Sequence, residues 1–160
     1  MTAATVSAAE SVTGGAVCAA LSQQPGSSRT FLGGVVAYTV PAKIRLLGLD
    51  PELLAAVGPV HPHVAAGMAG AVARLTGSAV AVSTTGVAGP EPHGGHPPGY
   101  ALVGWTAAAG AGVLAVTASG DRGEVRAAVT RVALAVVAQC TTSGQVRDVT
   151  ALGRGVVIVP

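Results

Sequence analysis

The chain has 160 residues, of which 50% are hydrophobic, 10% charged and 2% aromatic, and its formal net charge is +2. That length favours one domain, and so apolar a chain is not disordered over most of its length. Eight of the nine cationic side chains are arginines scattered from Arg29 to Arg154, so no basic stripe forms, and four aromatic rings furnish no stacking platform; nucleic-acid binding is not expected.

The core must be built from Ala, Val and Leu, with Gly allowing close packing. Cys18 and Cys140 lie far apart without CxxC spacing and read as buried apolar thiols or one bridge, which a reducing compartment fits as well as any. No basic region precedes an apolar block at the N-terminus, so no signal peptide is expected. Mean hydropathy is +0.60. The uncharged stretch 99–120 is interrupted by Gly104, Thr106, Gly110, Gly112, Thr117 and Ser119. It divides into two strand-like pieces, not a membrane helix.

In chain order, Ala3–Ala8 reads as a strand. Thr13-Gly14-Gly15 opens a helix to about Gln23, with Thr13 as N-cap. Pro25–Ser28 is a loop by its turn chemistry, and Phe31–Tyr38 a buried strand. Pro41 suits the first turn of a helix ending near Gly48. Pro51–Val57 is a second short helix. His63–Leu75 carries Val64, Met68, Ala71, Val72 and Leu75 at helical spacing, and Gly77 ends it. Ala79–Ser83 is a strand, and 86–99 a Gly/Pro/His loop. Tyr100–Ala107 and Val113–Ala118 form a strand pair around Gly110-Ala111-Gly112. Asp121–Cys140 is a long helix with Val125, Val129, Val132 and Val136 on one face, and an apolar run closes the chain at Gly155–Pro160. Strands alternate with helices and then follow one another. That order predicts an α/β domain, a three-layer sandwich with a mixed β-sheet flanked by helices.

Lys43 is the chain's single lysine, 15 residues after Ser28 and five after Tyr38. A lysine whose pKa burial lowers can deprotonate a serine hydroxyl, and a tyrosine between them can relay the proton. The alternative is a solvated surface lysine. Gly14 and Gly15 leave bare N–H groups at a helix start, where an anion is favoured. Gly86-Val87-Ala88-Gly89-Pro90 follows a strand, where open α/β sheets hold ligands. Neither segment is a P-loop. Asp121 and Glu124 have capping-box spacing, which puts Arg122 at the first helical position, a place for a cation only if an anion relieves it. Arg126 lies one turn on. The four histidines, in two loops, lack carboxylate or Cys partners at ligand spacing, so no metal is expected.

Seven segments, in one order, resemble one family: Ala9-Glu10-Ser11-x-Thr13-Gly14-Gly15, Pro25-Gly26-Ser27-Ser28, Gly34-x-Val36-x-Tyr38, Ala42-Lys43, Leu47-Gly48, Thr85-Gly86-x-Ala88-Gly89-Pro90 and Gly120-Asp121-Arg122. The family is the C-terminal domain of the competence/damage-inducible protein CinA, whose members include nicotinamide mononucleotide deamidases. The resemblance runs from about residue 3 to residue 140. It implies a domain over 1–140 with a tail over 141–160. It also implies a cytoplasmic amidohydrolase without a cofactor, using a serine, a lysine and a tyrosine. Carried over, these are Ser28, Lys43 and Tyr38. Ser11, Thr13, Gly14, Gly15, Thr85, Gly86, Ala88, Gly89 and Arg122 are candidates to hold a nucleotide substrate. The other reading is a domain of this kind that binds a nucleotide-like ligand or a protein partner without turnover.

The chain departs from the family at Val40-Pro41, commonly Asn and Glu, and at His96-Pro97-Pro98-Gly99, commonly Lys-Pro-Val-Gly. Val40 cannot cap the helix, which costs about 1 kcal/mol unless Thr39 substitutes. Members usually carry a helix before the first strand. Without it, apolar surface near Ala3–Ala8 is expected to be covered by the returning tail or by a second subunit, a homodimer.

Overall fold

The computed structural model describes residues 4–159. Its order is β1 (Val6–Glu10), α1 (Ala16–Ser22), β2 (Phe31–Val36), α2 (Val40–Leu47), α3 (Pro51–Val57), α4 (Pro62–Thr76), β3 (Val80–Gly86), β4 (Tyr100–Ala107), β5 (Gly110–Thr117), α5 (Arg122–Ser143) and β6 (Val156–Val159), with short 3-10 turns at Ser27–Arg29 and Thr150–Leu152. The sheet runs β2-β1-β3-β4-β5-β6. The first three strands are parallel and the last three antiparallel to their neighbours, so the mixed three-layer α/β sandwich is as expected.

Side-chain alternation along the strands divides the core. Val6 and Ala8 of β1, Val80 and Val82 of β3 and Leu114 of β5 pack with Val17 of α1 and with Val125, Val129, Val132 and Val136 of α5. Ala9 and Ala81, one residue out of phase, pack with Leu47 of α2, Leu54 of α3 and Val64, Met68 and Val72 of α4. Among the described residues, α5 is the one helix long and apolar enough to cross a membrane. It spends that apolar face on the sheet, with Val129, Ala133 and Val136 wholly buried. The uncharged stretch 99–120 is the β4–β5 hairpin.

Local chemistry explains most boundaries. Thr39 is the N-cap of α2, its hydroxyl accepting from Ala42 N at 3.3 Å, and Gly48 ends that helix in the left-handed conformation. Asp121 and Glu124 form both halves of a capping box, with Arg122 opening α5. The start of α1 corrects an expectation. The helix begins at Ala16, and Thr13 does not cap it. The cap is the wholly buried carboxylate of Glu10, which accepts from Thr13 Oγ1 (2.6 Å), Gly15 N (2.9 Å), Val17 N (3.0 Å) and Cys18 N (2.7 Å). Burial pushes this carboxyl's pKa up, but the hydrogen bonds from Thr13, Cys18 and Val17 outweigh it, so the net shift is downward.

The tail and the first strand also differ from expectation. Val156–Val159 adds to β5 at the far edge of the sheet, with Leu152 and Val156 in the main core, so 141–160 is no separate appendage. Val6 and Ala8 lie under α1 and α5 and leave no gap for the tail to fill. Ala3 and Pro160 lie outside the described residues. β2, expected to be a buried strand, is an edge strand with Leu32 and Val36 each 45% exposed, and the other edge strand, β6, exposes Val157 and Ile158. Both cysteines are free thiols. Burial, with Glu10 adding to it, pushes Cys18 up to about 12, and burial pushes Cys140 up to about 11.

Glu10→Gln is expected to lower unfolding stability at pH 7 by about 2–3 kcal/mol, because an amide cannot accept from all those donors. The folded carboxyl titrates below its usual 4.5. Its contribution is therefore present above that value and lost as pH falls through the lower folded value. Urea unfolding of parent and variant at pH 7 and at pH 3 should show the difference shrinking on acidification.

Candidate active site

The parallel strands β1, β2 and β3 end on the same side of the sheet, and a cleft of about 280 Å³ opens there. Ligands of open α/β sheets sit at such strand ends. Ser11 and Val12 follow β1, Tyr38 and Thr39 follow β2, and Gly86–Gly89 closes β3 and continues from it. Pro59 and Val60, between α3 and α4, form another wall. Thr85 Oγ1 holds that wall by donating to the Pro59 carbonyl at 2.8 Å.

Lys43 lies at the floor. Helix α2 turns its side chain back beneath the end of β2, where it is 1% exposed. Its Nζ donates to Ser11 Oγ at 2.8 Å and to the Ala37 carbonyl at 3.0 Å. Burial alone pushes its pKa down to about 8. No carboxylate of the described residues raises it back. Ser11 is 8% exposed, and its hydroxyl also donates to the Tyr38 carbonyl at 3.3 Å. A serine paired with a lysine of lowered pKa is the arrangement a hydroxyl nucleophile needs.

That pairing replaces the expected one. Ser28 is exposed on the turn before β2, at the other end of the strands. Thr30, two residues on, accepts from Val6 N at 2.7 Å. From Val6 to Ser11 is about 16 Å along β1, so Ser28 cannot share a proton with Lys43 of the same chain. Ser11, expected to touch substrate, occupies the position assigned to Ser28. Tyr38 is near the pair, but only its backbone carbonyl meets Ser11. Its hydroxyl accepts from Arg122 Nη2, so it does not relay between serine and lysine.

The glycine turn differs as well. Gly14 N donates to the Ser11 carbonyl, and Gly15 N to Glu10. Thr13 Oγ1 meets Glu10 and Thr84. These groups are spent on the chain itself, and none of Thr13, Gly14 and Gly15 lines the cleft. Gly14 is required there by a φ of 59° and by Arg126, whose Nη2 would lie 3.1 Å from an added Cβ. Among the described residues, the N–H groups of Val12 and Thr13 carry no hydrogen bond, and Val12 follows Ser11 directly.

Thr85, Gly86, Ala88, Gly89 and Arg122 do line the cleft. Arg122 spans its rim, donating to the Gly89 carbonyl at 2.9 Å and to the Tyr38 hydroxyl. Two of its five N–H groups are thus used. Sequence reasoning singled out the loop that carries Val87 but missed Val60, Glu91 and His93 as lining residues. The last two sit in the Gly/Pro loop after β3, whose position was the available signal. Val60 had none, because α3 and α4 bring it in from elsewhere. Among the described residues, no three His, Cys, Asp or Glu side chains gather as metal ligands.

Comparison with known proteins agrees with this architecture. A "CinA-like protein" of Frankia casuarinae is 41% identical over 123 residues, 77% of this chain and 28% of that protein. A competence-damage inducible protein of Bacillus subtilis is 45% identical over 103 residues, 64% of this chain and 25% of that protein. The chain thus spans about a quarter of the length of these curated relatives. Crystal structures of the competence damage-inducible protein A of Klebsiella pneumoniae (29% identity, TM-score 0.84, 89% of both chains) and of the competence/damage inducible protein CihA of Agrobacterium tumefaciens (34% identity, TM-score 0.78, 85% of this chain and 84% of that one) share the fold. The sequence profile of the CinA C-terminal domain matches residues 1–141. With nearly nine-tenths of its length matched, this chain belongs to the CinA C-terminal domain family.

Proposed function

We propose that the chain is an amidohydrolase that converts the carboxamide of nicotinamide mononucleotide to the carboxylate and ammonia, with Ser11 as nucleophile and Lys43 as base. The observation that carries this reading is the buried 2.8 Å contact between Lys43 Nζ and Ser11 Oγ at the floor of the cleft. Neutral Nζ takes the Ser11 proton as Oγ attacks the carboxamide carbon. The N–H of Val12, which lines the cleft directly after Ser11, is the free donor for the developing oxyanion. Nζ returns its proton to the leaving nitrogen, ammonia departs, and water, deprotonated by the same lysine, cleaves the Ser11 ester. The Ala37 carbonyl keeps Nζ oriented through the cycle. The three unused N–H groups of Arg122 at the rim suit the substrate phosphate. Edge strand β2, with Leu32 and Val36 exposed, is the surface we propose for the homodimer. Sedimentation of parent and Leu32→Asp chains tests it, and a monomeric parent overturns it.

Ammonia release from nicotinamide mononucleotide by the purified chain tests the function. Ser11→Ala and Lys43→Ala should each lower kcat by about 10³-fold or more. Ser28→Ala should stay near parental activity; loss of activity there would return the nucleophile to Ser28.

The base is active only when neutral. The parent rate should therefore rise with pH and level off above about 8. Lys43→Met should be inactive yet more stable than the parent at pH 7, by about 1–3 kcal/mol, because a buried cation has been removed. Sign matters here. The folded lysine loses its proton near 8 and the unfolded one near 10.5, so parental stability rises between those values. The advantage of Lys43→Met should shrink accordingly, as melts at pH 7 and pH 10 would show.

Arg122→Ala should raise KM for the nucleotide about tenfold. The uncharged riboside should be a poor substrate for the parent. Equal efficiency on nucleotide and riboside would remove the phosphate site.

A further inference from the structure

One charged group in the cleft has no part in the chemistry above. Glu91 is the single acidic side chain among the residues that line it. It is exposed to solvent and hydrogen-bonds no other described residue. Arg122 directs its N–H groups to Gly89 and Tyr38, not to this carboxylate.

The loop that carries Glu91 is fastened at both ends. Val87 N donates to the Tyr100 carbonyl, and Gly99 N to the Val87 carbonyl, each at 2.8 Å. His93 and His96 exchange two backbone hydrogen bonds, at 3.1 and 3.0 Å, around Gly94 and Gly95 at φ 57° and 80°. Two successive left-handed residues make the tight turn that closes such a hairpin. The His96 ring stacks on Tyr100 with centroids 4.5 Å apart and planes 8° from parallel. Glu91 is therefore presented to the cleft by a built element.

The charges around it decide what that does. Arg122 at the rim is a cation, and so is Lys43 at the floor whenever its Nζ holds a proton. A ligand with a positively charged ring would be repelled by a cleft holding those two alone. A carboxylate on the wall offsets them and gives the cleft both signs of charge, the pattern that a zwitterion with a cationic ring and an anionic phosphate presents in reverse.

We propose that Glu91 is a specificity residue, selecting carboxamides borne on a cationic ring over neutral isosteres. This rests on the reading of the cleft as the nucleotide amidase site, and it names the feature of the substrate that the cleft recognises.

The test is binding, separated from turnover. On a Ser11→Ala background, calorimetry would compare nicotinamide mononucleotide with benzamide ribotide, the neutral carbon-ring isostere, with and without Glu91→Gln. The expected result is that Glu91→Gln weakens the cationic ligand about fivefold and leaves the neutral one unchanged. Equal weakening of both ligands, no weakening of either, or no binding of either would overturn the proposal. Ammonia release by the parent chain is measured alongside. A chain that makes no ammonia but shows the charge-selective loss would sink the amidase reading and keep Glu91 as a selector of cationic rings.

Discussion

The carboxylate of Glu10 is the interaction around which this site is arranged. Helix α1 begins with N–H groups that need acceptors, and Glu10 supplies them from the last residue of the neighbouring strand. A buried carboxylate would ordinarily be costly, yet four close donors make this one a stable anion. Because β1 alternates, filling one face with Glu10 brings Ser11 out at the cleft floor. The same helix start that would attract an anion is already neutralised from within by Glu10.

Lys43 presents the opposite problem. Its ammonium is buried with no carboxylate beside it, and its two acceptors are a hydroxyl and a carbonyl. That environment disfavours the charged form and lowers the pKa to about 8. The fold thus bears an unfavourable burial at the position where the proposed chemistry would need a neutral amine.

Recognition and chemistry come from different parts of the chain. Floor groups sit at the ends of β1 and in α2, which are rigid and packed. Rim groups sit on the loop after β3 and at the first turn of α5, joined through the Arg122 contact to Gly89. Residues 96–99 fall in that rim loop, while Ser11 and Lys43 lie below it.

Much of the architecture was legible from residue order alone. Turn chemistry and periodicity placed α3, β2, β4 and the capping box at the start of α5, because those signals act between residues a few positions apart. Composition singled out Lys43, since a chain with one lysine offers one candidate amine. What the sequence could not decide was which serine that amine meets. Ser28 lies 15 residues away and Ser11 lies 32 away; proximity along the chain favoured Ser28, whereas the fold brings Ser11 to the amine. Parallel pairing of β1 with β2 sends the start of β2, and Ser28 with it, to one end of the sheet, while the ends of both strands converge at the other. The same register turned Glu10 under α1 and made a glycine turn that reads as a ligand loop into an internal cap. Those outcomes depend on contacts between segments distant in sequence, and only the folded sheet brings them together.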